Sequence, residues 1–135
     1  MSHSDRKRKR ALKLVERLLF KSGKGVPIIV EGRRDESAIR KIGASGPVFC
    51  AKSTGKTRTD FLDSLSTLKE AVILTDFDEE GSVLAASLAS DLSQFRIKAD
   101  TVIWKQLKSL FRADIHSLEE LPSLIERLGG KEASI

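Results

Sequence analysis

The sequence has no tyrosine, one cysteine (Cys50) and one tryptophan (Trp104) among its 135 residues. Without tyrosine, no reaction that needs a tyrosyl nucleophile can run within the chain. A lone cysteine forms no internal disulfide, so a cytoplasmic, reducing compartment is expected. No apolar stretch approaches the ~18 residues of a membrane span, and no membrane partner is expected. Leu18-Leu19-Phe20, after a basic N-terminus, is too short for the apolar part of a secretion signal. The six phenylalanines are scattered and offer no platform for stacking bases. No internal repeat is found.

What is present is charge, unevenly placed. Residues 1–24 hold nine basic residues against two acids, a balance of +7, while the other 15 basic and 17 acidic residues leave 25–135 at −2. A basic leader therefore precedes a slightly acidic domain. Residues 1–5 read as disordered. Over about 6–21, Ala11, Leu14, Val15, Leu18 and Ser22 recur at helical spacing, which predicts a basic amphipathic helix ended by Gly23 and Gly25. Its apolar face docks on the domain, and Arg6, Lys7, Arg8, Lys9 and Arg10 are candidates to meet nucleic-acid phosphates.

Beyond the leader, strand-like and helix-like segments alternate. Strands are expected at 26–30, 47–51, 71–75 and 101–104, and helices over 34–42, from a Thr59 cap through Leu68, and over 82–92. The apolar runs are continuous, as in parallel strands buried on both faces. The expected fold is therefore α/β: a four-stranded, mainly parallel sheet flanked by helices, with an N-terminal basic helix and a C-terminal helix. Ser117-Leu118-Glu119-Glu120 reads as a capping box before that last helix, although Pro122 makes its first turn uncertain. The organisation is a 1–24 arm, a 25–112 domain and a 113–135 helical extension.

Ligands of open parallel sheets bind beyond the carboxyl ends of the strands. Two strands here run into acids: Ile28-Ile29-Val30-Glu31, and Val72-Ile73-Leu74-Thr75-Asp76-Phe77-Asp78 followed by Glu80 and Gly81. If extended geometry continues, Asp76 and Asp78 point the same way. Crowded carboxylates are costly unless a cation neutralises them, and hard oxygen ligands select Mg²⁺, with Mn²⁺ as the substitute. One such acid would be an ordinary helix cap; a cluster from two strands suggests a metal site. Arg33, Arg34, Lys52, Lys56 and Arg58 are expected in loops on the same edge, placed to hold backbone phosphates.

Glu31-Gly32-Arg33-Arg34-Asp35 after one strand and Asp76-Phe77-Asp78-Glu79-Glu80-Gly81 after a later one resemble the two motifs of the Toprim domain. That domain is shared by topoisomerases, bacterial-type primases, recombination-repair proteins and small ribosomal RNA maturation nucleases. The resemblance covers about residues 26–105, and the chain is most similar to small stand-alone Toprim proteins of archaea and bacteria. It implies a general acid/base role for Glu31 and metal binding by Asp76 and Asp78. Glu80 matches the third acid of the topoisomerase-like version, and Asp35 a position common in some branches.

Other motifs fail. Ser53-Thr54-Gly55-Lys56-Thr57 resembles the end of a phosphate-binding P-loop, but the first glycine would have to be Cys50. Asp76-x-Asp78 resembles the haloacid-dehalogenase nucleophile motif, where that family expects Thr or Val in place of Glu80. Cys50 and Trp104 read as core and His116 as a loop residue. A topoisomerase needs the missing tyrosine, and a self-contained primase needs more chain. Two expectations remain: a Mg²⁺-dependent endonuclease acting on structured RNA or DNA, or a non-catalytic nucleic-acid-binding component of a ribonucleoprotein or repair complex.

Overall fold

The computed structural model describes residues 2–52, 55 and 57–129. Its elements are α1 (His3–Gly23), β1 (Ile28–Val30), α2 (Arg33–Ile42), β2 (Val48–Cys50), α3 (Arg58–Ser64), β3 (Glu70–Ile73), α4 (Glu79–Gln94), β4 (Lys98–Asp100), α5 (Val102–Phe111), a 3₁₀ turn (Leu118–Glu120) and α6 (Leu121–Gly129).

The four strands form one all-parallel sheet in the order β2-β1-β3-β4. β1 is central and wholly buried, pairing Ile28 with Val48 on one side and with Val72 on the other. Burial on both faces explains its unbroken apolar run. From β1 the chain moves first to β2 at one edge, then back across to β3. The strand order therefore reverses between β1 and β3, and the carboxyl ends of these two strands are the switch point at which open parallel sheets bind ligands. With this strand order, the right-handed rule for parallel crossovers assigns α2 to one face and α3 and α4 to the other. Arg58 and Asp91, 2.7 Å apart, tie α3 to α4.

α1 packs on α5 and α6. Its buried Ala11, Leu14 and Leu18 join the strands and the C-terminal Leu118, Leu121 and Leu124 in one continuous core. The end of α1 is pinned electrostatically. Lys21 Nζ donates to Glu70 Oε2 at 2.7 Å and also to Asp100 Oδ2. Burial opposes the Lys21 ammonium, but the hydrogen bonds to Asp100 and Glu70 outweigh it and raise its pKa. Asp100 mirrors this: burial pushes it up, while the bonds from Lys21 and the Val102 N–H hold it below the usual range.

Several boundaries differ from the sequence reading. α1 begins at His3, because Ser2 and Asp5 form a capping box that orders residues expected to be loose. α3 is capped by Thr57 with Asp60, and Thr59 lies inside the helix. α4 starts at Glu79 rather than Ser82. The segment 101–104 is not a strand: β4 is Lys98–Asp100, and Val102, Ile103 and Trp104 open α5. Ile103, Trp104, Leu107 and Phe111 are its buried positions, a helical repeat, and Asp100 Oδ1 accepts the Val102 N–H at 2.9 Å. Cys50 is only partly buried, 3.6 Å from Glu36 Oε1. Pro122 sits in the first turn of α6, where a missing N–H costs nothing.

Candidate metal and nucleic-acid site

β1 ends one residue before Glu31, and Leu74-Thr75 carry β3 onward to Asp76, so both acids stand at the carboxyl ends of adjacent strands. They are joined directly: Glu31 Oε1 accepts the backbone N–H of Asp76 at 3.3 Å. Lys52, following β2, brings its ammonium to 3.6 Å from Glu31 Oε2. Glu31 is thereby held between a neighbouring backbone and a cation, with its side chain 16% exposed.

Asp76 is half-buried, and burial is the chief reason its pKa rises to about 6. The Leu118 N–H, donated to Asp76 Oδ1 at 2.8 Å, opposes that rise, while the charges of Glu31, Asp35 and Asp78 add to it. Asp35 is raised for the same reasons: burial first, then Glu31 and Glu119, against a Gly32 N–H that bonds it at 3.0 Å. Asp76 thus feels the charges of Glu31, Asp35 and Asp78, and Asp35 those of Glu31 and Glu119.

The backbone around Asp76 is tightly constrained. A Cβ on Gly81 would lie 2.0 Å from the Asp76 carbonyl oxygen, so the first turn of α4 packs directly on the Asp76 backbone. Thr75 Oγ1 donates to the Gly81 carbonyl at 2.7 Å, and the Trp104 indole N–H to the Thr75 carbonyl at 2.9 Å. Phe77 points into the core, and its N–H bonds the His116 carbonyl at 2.7 Å. Asp78 is exposed and caps α4, its Oδ1 accepting the Gly81 N–H at 2.7 Å. The bland role and the candidate role therefore fall on the same side chain.

The other candidates are distributed around this cluster. Glu80, exposed in the first turn of α4, lines an open groove with Lys52, Arg58, Glu79 and Ser87. Arg33 and Arg34 are exposed in the first turn of α2 rather than in a loop. Arg58 opens α3 and is engaged by Asp91 and Ser87. Lys56 lies outside the described residues. In the leader, Lys7 binds Asp114 at 2.6 Å and sits over the Phe111 ring, Arg6 and Arg8 are also engaged, and Lys9 and Arg10 are exposed. Leu118 and Trp104 were read only as parts of a capping box and of the core, and Lys108 carried no sequence signal, yet all three support the site. Lys108 spans from α5 to Ser82 Oγ at 2.5 Å, beside the Asp78 cap, and lies over the Trp104 ring.

Among the described residues, no three Asp, Glu, His or Cys side chains are close enough together to enclose a metal ion. Two carboxylates suffice for Mg²⁺, which keeps several of its waters. Asp76 and Asp78 each use Oδ1 on a backbone N–H, at Leu118 and Gly81, and keep Oδ2 for a cation. The donor set is hard oxygen, and burial first, then the neighbouring carboxylates, raises the pKa of Asp76. Asp76 and Asp78 supply hard oxygen donors of the kind a hydrated divalent ion takes.

Fold and site together define an α/β protein with a carboxylate cluster at the switch point of a four-stranded parallel sheet. The chain belongs to the UPF0292 family. It is 35% identical to UPF0292 protein TK1411 of Thermococcus kodakarensis over 120 residues, covering 89% of this chain and 86% of that one. It is 33% identical over 125 residues to UPF0292 protein Mbar_A0484 of Methanosarcina barkeri, with 89% and 86% covered. A solved structure of a protein from Aquifex aeolicus superposes with a TM-score of 0.67 at 25% identity, over 80% of this chain and 94% of that one. No family profile matches the sequence. Among the described residues, no helix is long and apolar enough to cross a membrane.

Proposed function

We propose that this chain is a Mg²⁺-dependent enzyme of nucleic-acid phosphodiester chemistry, a small Toprim-type endonuclease acting on structured RNA or on DNA in the cytoplasm. The observation that carries the reading is the gathering of Glu31, Asp35, Asp76 and Asp78 at the β1/β3 switch point, with Asp76 pushed to about 6. Acids held near one another at the switch point, where open parallel sheets bind ligands, would gain from a bound cation.

Asp76 and Asp78 would hold Mg²⁺ or Mn²⁺ through their remaining oxygens. When bound, the ion would polarise the phosphoryl group and offset the charge that builds on its oxygens. Glu31, steadied by the Asp76 N–H and Lys52, is placed to move a proton to or from the attacking or leaving oxygen. Arg33, Arg34 and Lys52 would hold the flanking phosphates. With no tyrosine in the chain, a tyrosyl–phosphate intermediate is excluded, and the reaction proposed is hydrolysis with water as the nucleophile.

One observation favours a second reading, the non-catalytic nucleic-acid-binding component of a ribonucleoprotein or repair complex. No three ligating side chains come together among the described residues, and the acids could serve to shape the switch point alone. A cleavage screen over structured RNA, single-stranded DNA and supercoiled DNA separates the two, run with Mg²⁺, with Mn²⁺ and with chelator. Metal-dependent cutting of one substrate is the expected result. Binding without cutting under every condition would leave the second reading in its place.

A further inference from the structure

A groove of about 420 Å³ runs between α1 and α5, lined by Arg10, Lys13 and Arg17 on the α1 side and by Gln106 and Ser109 on the α5 side. No carboxylate lines it, and none of its residues belongs to the acid cluster. The three cations stand at i, i+3 and i+7, one stripe of the helix, and span about 10 Å along its axis.

With Lys9, these are leader cations that the protein leaves without an ion pair among the described residues. Lys7 is taken by Asp114 and Lys21 by Glu70 and Asp100, and Arg6 and Arg8 are engaged as well. Arg10, Lys13 and Arg17 form no ion pair with any described residue. The Asp100 carboxylate that Arg17 senses is already bound by Lys21. α1 is fixed beneath them by buried Leu14 and Leu18, so the stripe is held on a rigid helix. The exposed amide of Gln106 and hydroxyl of Ser109 add neutral donors on the facing wall.

We propose that this α1–α5 groove is a second nucleic-acid site, which grips the phosphate backbone through Arg10, Lys13 and Arg17 while the strand-end acids act elsewhere on the same polymer. A row of cations faced by neutral hydrogen-bond donors suits a chain of phosphates, which it positions without reading sequence. The proposal rests on the nucleic-acid reading above and adds the surface that holds the substrate.

The test measures binding of a fluorescent RNA hairpin and of a DNA duplex to the full chain across a salt series. Three proteins are compared: wild type, R10Q/K13Q/R17Q, and Q106E/S109E, which changes only the α5 wall. Glutamine keeps helix propensity, and circular dichroism confirms folding. The expected result is at least a tenfold loss of affinity in the triple variant, with the slope of log K against log salt shallower by about 2–3. Q106E/S109E is expected to bind more weakly in the same direction. Wild-type affinity in the folded triple variant would overturn the groove alone, leaving any cleavage that D78N abolishes intact. Failure of the wild type to bind either polymer would overturn the groove and the nuclease reading together.

Discussion

Gly81 lies so close to Asp76 that a Cβ on the glycine would sit 2.0 Å from the aspartate carbonyl oxygen. Gly81 is helical, in the first turn of α4, where alanine would ordinarily gain up to about 1 kcal/mol. Here G81A is expected to destabilise the protein by about 1–3 kcal/mol, because backbone must move to admit the methyl group. Chemical denaturation checks the sign. A variant more stable than wild type would mean that α4 does not pack on the strand end.

The burial of Asp76 beside other carboxylates has a pH signature in the metal-free protein. Its folded pKa of about 6 lies above the ordinary value of 3.8, so the folded state binds this proton more tightly than the unfolded chain. Its contribution to stability is full below about pH 4 and is lost as pH rises through about 6. At pH 7.5, D76N is expected to be more stable than wild type by roughly 1–2 kcal/mol, a figure reduced for partial solvent screening. The gap should close near pH 4, and millimolar Mg²⁺ should raise the melting temperature of wild type but not of D76N. Thermal melts at the two pH values, with and without Mg²⁺, read out both effects.

These two features differ in how far the sequence announced them. Continuous apolar runs ending in Glu31 and Asp76 placed both acids at strand ends, and the observed sheet makes those strands neighbours. β4 was obscured because Lys98-Ala99-Asp100 is an edge strand with an exposed lysine and no apolar run. Thr101-Val102-Ile103-Trp104 is β-branched and apolar enough to imitate a strand, and only the later Leu107 and Phe111 mark it as a helix. The supports of Asp76 carry no local signal at all: the Leu118 N–H comes from 42 residues away, and the Trp104 indole reaches Thr75 across 29. Net charge likewise located the leader but not which of its cations are already paired within the fold.

Lys21 tests whether the leader belongs to the fold. Replacing it leaves Asp100 and Glu70 facing each other without their cation, with the Asp100 side chain only 9% exposed. K21M is expected to cost about 2–3 kcal/mol near neutral pH, below the full penalty of a deeply buried pair because Lys21 is partly solvated. Equilibrium denaturation measures it. A loss under about 0.5 kcal/mol would place this cluster among ordinary surface ion pairs.

The central claim is that strand-end carboxylates bind a metal for phosphodiester cleavage, and Asp78 offers the cleanest substitution. Asparagine caps a helix about as well as aspartate, so D78N keeps the Gly81 contact and removes only the charge. The decisive measurement is the Mg²⁺-dependent cleavage rate of wild type and D78N on one substrate, at equal folded concentration. We expect wild type to cut and D78N to be slower by about 100-fold or more, as loss of an electrostatic group at a reacting phosphoryl centre requires. Equal rates in the two proteins, or no cleavage by wild type with Mg²⁺ or Mn²⁺, would contradict it.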